Sequence, residues 1–135
     1  MADLVVVAAN VKPGADVVTR RGIAGEAITA GDSLFEAADG ELELAEKDLA
    51  AADAACVGVA LNDAAVLQPV EYGVTGTIDM GAILAIGQTY IVGAGPGSLA
   101  PEADAAVGNF TTIVGIATSI NILKLGIVQS GVAHA

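Results

Sequence analysis

The sequence predicts an all-β fold: a small closed β-barrel or β-sandwich with internal pseudo-duplication, at most one short helix, and an N-terminal arm. Three observations lead there. Residues 70–80 alternate, with Val70, Tyr72, Val74, Ile78 and Met80 on one parity and Glu71, Thr75, Thr77 and Asp79 on the other, which is the period of a half-buried strand. Residues 25–35, GEAITAGDSLF, align with 81–91, GAILAIGQTYI, at an offset of 56, and VGVA at 57–60 is echoed by VGIA at 114–117 at an offset of 57. The rest divides into short apolar runs separated by Gly-rich turns, giving about eight to ten strands.

The elements follow in order. Residues 1–21 stand apart: 4–9 form a β-prone apolar run, Lys12-Pro13-Gly14 is a turn signal, and Lys12, Arg20 and Arg21 are three of the five basic residues of the chain. They read as an arm, the other reading being an ordinary edge strand followed by a loop. The β domain then covers 22–135, with pseudo-repeats at about 22–76 and 77–129. Two copies are too few for a stacking solenoid and are better read as two halves of one domain. In the first half a hairpin is expected over 25–35, then a strand at 41–44 with Glu41 and Glu43 on its wet face. Residues 46–55, rich in Ala, Asp and Glu, make one short helix or a crossing loop. Residues 57–61 are a strand ended by the turn pair Asn62-Asp63.

The 70–80 strand follows Pro69, placed where a strand tolerates proline, and Gly73 and Gly76 inside it suggest a bend or bulge that curves the sheet. A second hairpin is expected over 81–92 with its turn at Gly87-Gln88. Residues 93–98 are a turn and 110–117 a strand. In the last strand Leu123, Leu125 and Ile127 alternate with Lys124, Gly126 and Val128.

Composition narrows the function. One domain of 135 residues buries roughly 68% of the surface its unfolded chain exposes, and the apolar fraction of 54% before glycine exceeds what such a core needs. No apolar run approaches the roughly 18 residues of a membrane span, so the surplus is expected at subunit contacts and no membrane partner is expected. Sixteen acidic residues against five basic ones give a net charge of -11, which repels nucleic acid, and aromatics at 3% leave little to stack bases on. The N-terminus lacks the positive region of a signal peptide and the single Cys makes no internal disulfide, so synthesis in a reducing cytoplasm is expected.

The residues that could carry chemistry fall away one by one. GAGPGS at 93–98 lacks the Lys-Ser/Thr ending of a P-loop, does not fit G-x-G-x-x-G, and is a plain turn. The nine acids between Glu26 and Asp53 do not follow the EF-hand order and read as solvated surface. His134 is the one histidine and sits next to the last residue, while Cys56 flanks an apolar strand where a buried thiol is the ordinary state. No Ser-His-Asp or Cys-His arrangement and no N/S metal site can be assembled, so no enzyme activity, cofactor or metal is expected. The pattern G-x-x-I-x-x-G-D-x-L at 25–34 also occurs in lipoyl and biotinyl carrier domains. Those need a Lys at a hairpin tip, and neither Lys47 nor Lys124 has that setting.

With those residues in view, the chain resembles the small capsid decoration, or cement, proteins of tailed bacteriophages. The resemblance lies in AGEAITAGDSLF, the Leu-Ala tract at 44–55, VGVALNDAA at 57–65, QPVEYGVTGTIDMGAILAIGQTYIVGA at 68–94 and VGIATSINILKLGIVQSGVA at 114–133, nearly everything after residue 21. It implies a compact β domain, usually trimeric, on the outer surface of the virion, bound to the major capsid protein and bracing the shell against packaged DNA. It brings no enzyme activity and no cofactor. The rival from another class is a free-standing β module that binds a host surface or a glycan, against which the few aromatics count. On the decoration reading, docking is expected to fall to the arm, through Leu4, Val5, Val6, Val7, Lys12, Arg20 and Arg21.

Overall fold

A computed structural model of the chain describes residues 4, 6–45, 55–93, 95–104 and 110–133. The alternating run becomes the longest strand of the first half and the one on which the molecule hinges. It is β6 in a series β1 (Lys12–Pro13), β2 (Val18–Ile23), β3 (Ser33–Glu36), β4 (Leu42–Leu44), β5 (Cys56–Ala60), β6 (Pro69–Asp79), β7 (Thr89–Val92), β8 (Leu99–Pro101), β9 (Phe110–Ala117) and β10 (Ile122–Ala133). The only helical pieces among the described residues are 3-10 turns at Ala8–Asn10 and Glu102–Asp104. The fold is all-β, a curled antiparallel sheet that makes a half-barrel, with strand order β4-β3-β5-β6-β10-β9-β7-β8. The expected helix or loop at 46–55 lies, but for Ala55, outside the described residues.

β6 serves both halves because its two ends have different neighbours. Its first part pairs with β2 (Arg20 opposite Tyr72, Ile23 opposite Pro69) and with β5 (Ala60 opposite Tyr72). Its last part pairs with β1 (Lys12 opposite Asp79) and with β10 (Leu123 opposite Ile78). The change of neighbours falls at the two glycines. The register with β2 slips between Val18 and Thr19, opposite Thr75 and Gly73, and Gly76 takes φ +88. A side chain at Gly76 would run into the carbonyl oxygen of Asp16, so only glycine allows the chain before β2 to cross here.

That bend lets one alternating run feed two cores. Val70 and Tyr72 join Ile28, Leu34, Leu42 and Ala60 in a smaller cluster, while Ile78 and Met80 join Phe35, Val59, Tyr90, Val92, Leu99, Val114 and Leu123 in a larger one. In β3 the successive residues Leu34 and Phe35 go to different clusters, so that strand is covered on both faces. Each fully buried aliphatic side chain contributes about 1.5–3 kcal/mol relative to exposure.

The pseudo-duplication is visible in the hydrogen bonds. Gly31 (φ +94) donates its N–H to Ala60 O at 2.8 Å, and Gly87 (φ +80) donates to Ala117 O at 2.8 Å. Ile28 donates to Ala64 O and Leu84 to Ile120 O, each at 2.8 Å. Sheet pairing repeats as well, with β3 between β4 and β5, and β7 between β8 and β9.

Two expectations change. The segments 25–35 and 81–92 are not hairpins: the stretch before each turn pairs with the loop after β5 or β9 rather than with the strand that follows it, as the Ile28–Ala64 bridge shows. The local turn at Gly31 is as expected, with Asp32 Oδ2 accepting from the N–H of Thr29 at 2.8 Å, but the partner is distant in sequence. The segment set apart as an arm also lies against the domain. Its β1 and β2 run along β6, and its β-prone start packs on the larger core, because apolar side chains there gain more from burial than from water.

Candidate docking surface

The residues expected to dock are distributed along the edge of the domain. Leu4 is half-buried and donates its N–H to Leu99 O at 2.7 Å, adding to the outer edge of β8. Val6, also half-buried, lies against Gly31, and Leu4, Val6 and Ala8 pack on the larger core. Val7 points outward, 52% exposed. Val5 lies outside the described residues. Of this apolar run, Val7 is thus the described residue left to meet a partner through an exposed large side chain.

The three cations are exposed, but they do not form one patch. Successive residues of a strand face opposite sides, so the neighbours Arg20 and Arg21 diverge. Arg21 reaches Glu71 across the β2–β6 pair at 3.5 Å, beside a hollow lined with Asn62 and Pro69. With side-chain exposures of 73% and 42%, that pair contributes at most about 1 kcal/mol. Arg20 lines a separate cleft of about 420 Å³ with Glu36, Tyr72, Val74 and Gln129. Lys12 stands in register with Asp79, at the other end of β6.

The titratable groups nearby are tuned by packing. Burial raises Tyr72 above the usual phenol value, Glu36 adds to the rise and Arg20 opposes it. Cys56 lies beneath the same cleft, fully buried, and burial pushes its thiol up to about 11; its Sγ donates to Gly58 O at 3.3 Å. The buried thiol is the one expected of an apolar strand. Asp16 is held below the usual carboxylate range by the hydroxyl and N–H of Thr77, both of which donate to it. Asp32, half-buried in the turn after Gly31, is raised by burial. Among the described residues no group of three or more His, Cys, Asp or Glu side chains could hold a metal ion, and no helix is long and apolar enough to cross a membrane.

The features not foreseen are apolar. Val66 and Leu67 stand 56% and 69% exposed at the tip of the β5–β6 connection, Ile86 is 71% exposed on the opposite half, and Ile116 and Val128 stand out from the β9–β10 face at 49% and 58%. One signal was present in the sequence: ALNDAAVLQP at 60–69 is longer than its counterpart ATSINI at 117–122, and the excess is apolar. No protein-family model matches the chain, and no curated protein matches it.

Proposed function

We propose that this chain is a structural virion protein that binds the outer surface of a tailed-phage capsid as a trimer and braces the shell against internal DNA pressure. The observation that carries the reading is the pairing of exposed aliphatic side chains with a strongly acidic charge balance. Leu67 and Ile86 are among nine large hydrophobic residues that stand in solvent among the described residues of a chain with 16 acids and five bases. Adjacent exposed aliphatic residues such as Val66 and Leu67 suit a surface used for association, and the net charge of -11 keeps the free protein soluble at high copy number. The sequence resemblance supplies the partner, the major capsid protein. The half-barrel supplies the stiffness a brace needs, since its two close-packed cores, which meet on either side of β3, resist bending.

The test is direct. Purified protein mixed with expanded capsids that lack it should bind to saturation at a fixed number of copies, a multiple of three. Absence of binding, or binding that never saturates, overturns the reading.

A further inference from the structure

In a duplicated fold, whatever occurs in one half alone is not required by the architecture. The β5–β6 and β9–β10 connections end on matching anchors. Ile28 and Leu84 donate to Ala64 O and Ile120 O, and Ala24 and Met80 donate to Gln68 O and Asn121 O. In the second half Ile120 and Asn121 are adjacent, whereas in the first half Ala65, Val66 and Leu67 intervene. This extra triplet forms a turn closed at 3.0 Å by the Gln68 N–H on Ala65 O and by the Ala65 N–H on Gln68 Oε1. Leu67 is the one non-glycine residue among those described with positive φ, +68. A solvent-facing turn favours Gly or Asn there, and a bulky residue in that region is strained. Here the strained residue is an exposed leucine beside an exposed valine, and Ile23, 43% exposed opposite Pro69, widens the patch.

The other half carries a complement. On the outer face of β9 and β10, Ile113, Gly115, Ile116, Lys124 and Gly126 line a mainly apolar hollow of about 220 Å³. A Cβ placed at Gly126 would meet nothing within 4 Å. Apolar cavities of about 150 Å³ take a benzene-sized guest, so the hollow has room for the aliphatic tip of a turn.

We propose that the turn carrying Val66 and Leu67 inserts into the β9–β10 hollow of a second copy of this chain, head to tail. Charge selects that occupant. Two copies at net charge -11 repel, so a contact between them must avoid facing carboxylates, and the hollow is lined by apolar residues and Lys124. Lys124 already lowers the carboxyl of Asp16 on its own chain. The exposed Asp63, held beside the turn by the N–H of Ala30 at 2.9 Å, gives it a second carboxylate to meet across the contact. Tip and hollow are different surfaces, so the contact is heterologous and closes into a ring when its rotation allows. The inference rests on the self-association in the proposed function and adds the surfaces that carry it.

Cysteine pairing tests it, because buried Cys56 with its raised thiol leaves a quiet background. Leu67→Cys and Gly126→Cys proteins, mixed and oxidised with copper phenanthroline, should give a disulfide-linked heterodimer that neither gives alone, since bridging needs Cα atoms within about 7 Å. The double variant should give covalent dimers and trimers. Leu67→Asp should weaken association at least about tenfold in sedimentation. A wild-type trimer without the cross-link, or unmoved by Leu67→Asp, overturns this contact and leaves the trimer standing. A wild-type monomer at tens of micromolar overturns both. If Leu67→Asp stays trimeric and loses only shell binding, the turn belongs to the shell and the contact between copies is again overturned.

Discussion

A leucine at φ +68 and 69% exposure gains neither packing nor an easy backbone from its place in the free chain. Leu67→Gly should therefore raise the stability of the monomer, by about 0.5–1 kcal/mol once glycine's greater unfolded entropy is set against the relieved strain. A thermal melt at a dilution where light scattering gives the monomer should move up roughly 2–4 °C; a fall would mean that Leu67 packs within its own chain. Gly58 is the opposite case. A Cβ there would stand 2.6 Å from Gly73 O and against the Tyr72 ring, so Gly58→Ala should cost about 1–3 kcal/mol by overpacking. Cys56 gives a pH dependence. Its folded value is raised from 9.0 to about 11, so its contribution is complete below pH 9 and is lost as pH rises toward 11, with a slope of about 1.4 kcal/mol per unit. Tyr72, raised by burial, adds in the same direction above pH 10. Denaturation midpoints should fall from pH 8 to pH 10, and the fall should shrink in Cys56→Ala; a fall of the same size in that variant would clear the thiol of any part in it.

At the scale of one element, β6 shows what a sequence reveals. Its parity is correct: Val70, Tyr72, Ile78 and Met80 are buried and Thr75 is exposed. Ile78→Asp should thus place an unpaired charge in the larger core and cost several kcal/mol, while Thr75→Asp should change stability by less than about 0.5 kcal/mol. Val74, half-buried at the rim of the Arg20 cleft, should fall between them. Equal denaturation midpoints for the three variants would contradict the parity. Alternation was readable because it is local, a statement about faces. Partners were not, because pairing joins residues far apart: Ile28 with Ala64, Leu84 with Ile120, Arg20 with Tyr72. For the same reason the hairpins expected at 25–35 and 81–92 are turns whose leading segments pair elsewhere. The apolar run at 4–9 looked like a free docking strand, since nothing in sequence shows that Gly31 leaves room for Val6. The Val66 and Leu67 turn was legible only by comparing the two halves of the chain, where three residues have no counterpart.

For the whole molecule, the question is whether the N-terminal segment belongs to the fold or to the docking surface. Leu4 extends the sheet through Leu99, Val6 sits on Gly31, and Val11 is 7% exposed within the larger core. Removing residues 1–11 should take away those contacts and cost about 2–4 kcal/mol, given about 1.5–3 kcal/mol for each fully buried aliphatic side chain and only partial burial for Leu4 and Val6. A lower denaturation midpoint is the expected result, and an unchanged one would return the segment to the role of a free arm. Truncation therefore confuses folding with docking, and the arginines separate them. Arg20 and Arg21 lie on opposite sides of β2, and neither supports the core, so Arg20→Glu and Arg21→Glu should each shift stability by less than about 1 kcal/mol. If the domain sits on a shell through one face, only one of the two reversals can put a repelled charge against it. Occupancy on capsids should fall for that variant alone, and more steeply at low salt, because exposed charges are screened over about 8–10 Å at physiological ionic strength. Equal losses from both reversals would mean that the edge of β2 meets the shell end on, and no loss from either would move docking away from β2 altogether.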